Sequence, residues 1–124
     1  MKRVLPLAMA VLGGALLSGA SPARSAAPAA DCAALRQAYA AALEAAQACQ
    51  PEAKVQCQAI RSRAPDDPCH CQASVNEARA SELDALLERY RERSCPSAAG
   101  PCNRRCLTPA ARCLARPGAG ARCG

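Results

Sequence analysis

The chain has 124 residues, with sixteen Lys and Arg against ten Asp and Glu, ten cysteines, and Tyr39 and Tyr90 as its whole aromatic content. A net charge of +6 without stacking aromatics argues against nucleic-acid binding, which pairs basic grooves with aromatic platforms. Much of the 51% hydrophobic content is alanine, so little apolar area is available for a core in a chain this short.

Met1-Lys2-Arg3 is a positive start, and "VLPLAMAVLGGALLSGA" (4–20) is apolar but broken by Pro6, Gly13 and Gly14. Small residues follow in "SPARSAAPAA". This pattern predicts a secretory signal peptide over residues 1–27, cleaved somewhere between 20 and 30, ahead of one cysteine-rich domain over 28–124. In "LSGA" (17–20) an alanine stands where a lipoprotein box would place its lipidated cysteine. No later stretch is apolar enough to span a bilayer, so the mature chain is expected to be periplasmic or secreted.

All ten cysteines lie beyond this leader, at Cys32, Cys49, Cys57, Cys69, Cys71, Cys95, Cys102, Cys106, Cys113 and Cys123. An even number in a short exported chain predicts five disulfides, whose connectivity the spacing leaves open. Each bridge typically adds about 2–4 kcal/mol, so the staples rather than the core are expected to make the chain fold.

Asp31 can cap a helix over about 32–48, in which Cys32, Leu35, Tyr39, Leu43, Ala46 and Cys49 share one face. Pro51 ends it, and "VQCQAI" (55–60) is a short candidate strand. "APDDP" (64–68) is a turn, and the triplet Cys69-His70-Cys71 follows at once. Ser74 and Glu77 have capping-box spacing ahead of a helix over about 75–93, with Val75, Ala78, Leu83, Leu86 and Tyr90 as its apolar stripe. The remainder is loop-rich, with one short helix expected from Thr108-Pro109 to about Arg116 and stopped by Pro117-Gly118. The expected fold is a small α-rich, disulfide-stabilised domain.

Charge is concentrated late. Eight arginines and one acid, Glu92, lie between Arg89 and the end, a composition suited to an anionic envelope component or an acidic protein partner. Three further chemistries merit weighing. Cys69, His70 and Cys71 with Cys102 and Cys106 could hold zinc or copper, but neighbouring side chains in extended backbone point to opposite sides. A Cys-x-Cys dithiol could act in redox, yet the strand–helix alternation of thioredoxin-like carriers is missing. Arg104-Arg105, framed by Cys102 and Cys106, could present a basic loop to a trypsin-like protease. A single histidine with no evident nucleophile argues against hydrolysis, so no catalytic residue and no cofactor are expected.

The cysteine order resembles a loosely defined group of exported bacterial cysteine-rich domains, sometimes called eight-cysteine-cluster domains. The resemblance covers residues 48–124 and rests on Cys49, Cys57, Cys69-His70-Cys71, Val75-Asn76 and the late cysteines Cys95, Cys102, Cys106, Cys113 and Cys123. Pro68 stands where that group often has another cysteine. The resemblance implies no particular activity. The expected function is a non-catalytic binding or structural protein of the cell envelope, with thiol-based metal binding as the alternative.

Overall fold

A computed structural model describes residues 29–124; the expected signal peptide lies outside the described residues. Alanine dominates the first element, α1 (Ala29–Gln47), and its buried positions Cys32, Tyr39, Ala42 and Ala46 recur on one face. A loop leads to β1 (Ala59–Ser62), which pairs antiparallel with β2 (Gln72–Val75) in the register Ala59 with Val75 through Ser62 with Gln72. The second helix, α2 (Glu77–Glu92), packs against α1. An irregular arm over residues 94–112 follows, and then the hairpin β3 (Cys113–Arg116) and β4 (Gly120–Cys123).

The core sits between the two helices and β2. It consists of Tyr39, Ala42, Ala46, Val75, Ala80 and Leu83, flanked by Leu43, Ala59, Leu86 and Leu87. The ring of Tyr39 is buried, and its hydroxyl donates to the Ser62 carbonyl at 2.8 Å, tying α1 to β1. Burial, reinforced by nearby Asp84, pushes this phenol above its ordinary pKa, so it remains a neutral donor. Where α1 ends, its Ala46 carbonyl accepts from the Asn76 N–H at 2.8 Å, satisfying an orphan helix-end group.

Four sequence expectations are corrected. Ser74 is not the cap of α2: it lies in β2, and its buried hydroxyl accepts from the Ala111 N–H at 3.0 Å. The cap is Asn76, whose side chain accepts from Ala78, while Glu77 reaches back to accept from the Gln58 N–H at 2.8 Å. Burial of Ala73, Ser74 and Val75 keeps the backbone extended two residues longer than the capping-box spacing implies. The first strand starts later than residue 55, because Cys57 takes a φ of 67° and interrupts the extended run.

The short helix after Thr108 does not form. Residues 107–111 have no regular secondary structure, Ala111 adopts a φ of 53°, and the hairpin takes the place of the expected last turns. Pro117 and Gly118 supply the i+1 and i+2 residues of a type II turn, with Gly118 at φ 73° and the Ala119 N–H bonded to the Arg116 carbonyl. The described residues are 36% helix and 18% strand, two helices with two small antiparallel sheets, and so do not form the α-rich domain the sequence suggests. The disulfide-stabilised small domain stands.

Five bridges take all ten cysteines: Cys32–Cys95, Cys49–Cys113, Cys57–Cys123, Cys69–Cys102 and Cys71–Cys106. Each joins a cysteine before α2 to one after it. The first bridge brackets the helical pair, the next two hold the hairpin, and the last two hold the arm. Cys113 and Cys123 lie opposite each other in the hairpin but bond outward to separate partners.

Candidate functional site

The Cys-His-Cys corner is built by a turn and closed by the arm. Cys69 and Cys71 bridge to Cys102 and Cys106, so two residues spaced two apart are laddered to two spaced four apart. The centre of this corner is Asp67, whose side chain is only 1% exposed. One of its oxygens accepts from the Cys69 N–H at 2.9 Å and the other from the Cys71 N–H at 3.1 Å. Arg104, in the loop between the two late cysteines, pairs with the same carboxylate at 2.7 Å. Burial alone would raise the pKa of Asp67. The Cys69 N–H, the Arg104 guanidinium and the Cys71 N–H outweigh it and hold the carboxyl below its ordinary range.

His70 is exposed and has a φ of 49°, the left-handed region in which histidine is tolerated better than most side chains. Its backbone N–H donates to the Asp67 carbonyl, which closes the turn at 3.1 Å. The structure therefore brings together Cys69, His70, Cys71, Cys102 and Cys106, but with the four sulfurs in two bridges. Ligand-type atoms crowd at two places, Asp67 with Cys69 and Cys71, and Cys49 with Cys57 and Cys123. In both, every sulfur belongs to a disulfide, which carries no thiolate charge for an ion.

The basic pair resolves into two roles. Arg104 turns inward to Asp67, whereas Arg105 is exposed and makes no ion pair among the described residues.

Sequence reasoning passed over two features. Asp67 was legible only as turn chemistry, because nothing local marks it as buried. The second is a cavity of about 370 Å³ where the end of α1, β2, the arm and the hairpin meet, with Arg63, Arg116 and Arg122 at its wall. No described helix is long and apolar enough to cross a membrane. No protein-family model, curated protein or solved structure matches the chain.

Proposed function

We propose that the chain is an exported, disulfide-stapled, non-catalytic binding or structural protein of the bacterial cell envelope, akin to the eight-cysteine-cluster domains that its spacing resembles. The supporting observation is the complete pairing of its ten cysteines across α2, which leaves no thiol as nucleophile, redox dithiol or soft ligand. Such a framework forms and persists in oxidising compartments. His70, the only histidine, is exposed, and with every cysteine in a disulfide it has no thiol to activate.

The test is an intact mass and thiol count on protein exported from cells and purified without reductant. The expected outcome is five bridges and no reactive thiol after denaturation. Several free thiols exposed by stripping zinc or copper would replace this reading with the metal-binding one.

A second reading is favoured by one observation, the outward Arg105 on a loop fixed by two bridges and by the Arg104–Asp67 pair. A preorganised basic loop of this kind suits the carboxylate-lined pocket of an arginine-specific protease. Inhibition of trypsin by the native chain, abolished by Arg105→Ala, is the outcome this reading requires.

A further inference from the structure

We infer that the arginine-lined cavity binds a small phosphate-headed amphiphile, which gives the binding role proposed above a ligand class and rests on that reading. The cavity is assembled from distant parts of the chain: Gln47 from α1, Arg63 from the turn after β1, Leu107 from the arm, and Leu114, Arg116 and Arg122 from the hairpin. Neither Asp nor Glu lines it. Gly124 also lies at its wall, and none of the three arginines forms an ion pair among the described residues.

Of the arginines that make no ion pair among the described residues, Arg63, Arg116 and Arg122 line this one cavity, whereas Arg89, Arg91, Arg105 and Arg112 lie outside it. Five arginines elsewhere have acidic partners: Arg36 with Asp66, Arg61 with Asp84, Arg79 with Glu82, Arg93 with Asp31 and Arg104 with Asp67. The cavity near the helix ends is charge-balanced, with Asp31 and Glu92 facing Arg89 and Arg93. At the hairpin cavity three arginines meet with no acidic side chain among them.

Their donors are also available. Arg122 uses one N–H on the Gln47 side-chain oxygen at 2.8 Å, and Arg63 uses its Nε on the Gln72 carbonyl at 3.1 Å. Arg116 makes no hydrogen bond with another described side chain. Guanidinium forks match phosphate oxygens in bidentate geometry, and a phosphomonoester carries about −1.5 to −2 at neutral pH, enough to answer several of them. The rest of the wall sets Leu107, Pro109 and Leu114 beside the polar Gln47, Ser74 and Thr108. Leu107 is 77% exposed and stands at the same cavity as Leu114. A volume of about 370 Å³ lies in the range of small-molecule sites. The same phosphomonoester is carried by a free alkyl phosphate and by the head of phosphatidic acid.

The test is calorimetric titration of the full disulfide-bonded chain with hexyl phosphate, beside inorganic phosphate and hexanol. Saturable binding of hexyl phosphate is expected, stronger than inorganic phosphate and weakened by salt, with none for hexanol. Arg63→Gln and Arg116→Gln each remove an exposed guanidinium and are expected to weaken binding about tenfold or more, as loss of a charge-assisted contact implies. Arg91→Gln removes the same charge far from the cavity and is expected to leave affinity unchanged. Leu107→Ser should erase the preference for hexyl over inorganic phosphate. Thermal midpoints and non-reduced masses confirm that each variant is folded and bridged.

Flotation with phosphatidylcholine vesicles containing phosphatidic acid, against vesicles of phosphatidylcholine alone, separates the sources. Capture that depends on Arg63 and Arg116 points to a lipid head, and binding confined to hexyl phosphate points to a free ligand; either supports the inference. Absence of hexyl phosphate binding, or equal weakening by Arg91→Gln, overturns it. A five-bridge chain that ignores hexyl phosphate leaves the stapled-protein reading intact, whereas free thiols overturn that reading whatever the cavity binds.

Discussion

Asp67 is the one buried carboxylate among the described residues, and its partners are two backbone N–H groups and one guanidinium. Asp67→Asn keeps the shape but removes the charge and reverses half of its hydrogen-bonding capacity, so it leaves at least one N–H unmet. The expected loss is about 1–3 kcal/mol at neutral pH, read from denaturant unfolding with the bridges intact. The pH dependence follows from the lowered carboxyl pKa. A carboxyl held below its unfolded value stabilises above the ordinary range near pH 4, and that contribution is lost as pH falls through the folded value. The gap between the native chain and Asp67→Asn should therefore close in strong acid. A gap that persisted at low pH would mean that packing, not charge, holds the corner. His70 invites the opposite expectation. Its φ of 49° suits glycine, so His70→Gly should keep five bridges and change stability by no more than about 1 kcal/mol. A large loss would give the imidazole a role beyond its backbone.

At the scale of elements, the helices draw on two different supports. α2 ends in a Schellman arrangement: the Cys95 N–H bonds to the Tyr90 carbonyl and the Ser94 N–H to that of Arg91, with Ser94 at φ 52°. Ser94→Gly should stabilise the chain by up to about 1 kcal/mol, seen as a higher thermal midpoint, because only glycine takes that φ freely. In the middle of α2, Leu83 is fully buried against α1. Leu83→Ala should cost about 2–5 kcal/mol by opening a cavity, whereas Leu107→Ala, at 77% exposure, should barely move the unfolding midpoint.

Both helices were legible in the sequence, since alanine propensity and the Tyr39 to Ala46 and Leu83 to Tyr90 spacings repeat over several turns. The hairpin was not. Its strands are four residues each, too short to show a period, and Thr108-Pro109 and Pro117-Gly118 serve irregular backbone and a tight turn as readily as helix ends. The arginine cavity was equally hidden, because Gln47, Arg63, Arg116 and Arg122 meet only once the bridges have drawn the segments together.

For the whole molecule, the decisive fact is that no bridge is local. The large fully buried side chains amount to little more than Tyr39, Leu83 and Val75, so apolar burial is thin. The bridges instead close loops of 33 to 66 residues, each worth about 4 kcal/mol in the chain-entropy account, though nested loops do not add. Because all five cross α2, that helix is the one backbone link between two sets of five half-cystines. A single backbone cut between residues 77 and 92 should therefore leave one species of nearly unchanged mass, and reduction should split it into two peptides with five cysteines each. A glutamyl-specific protease suits the purpose, with Glu82 and Glu88 exposed on the outer face of α2. The competing pairing is local, Cys69 with Cys71 or Cys102 with Cys106. Digestion to completion distinguishes them, since local bridges yield fragments whose cysteines all come from one side of α2. Such fragments would also detach the arm from Asp67 and remove the frame that places Arg63 beside the hairpin. The bridge map is thus a condition both for the buried carboxylate corner and for the cavity.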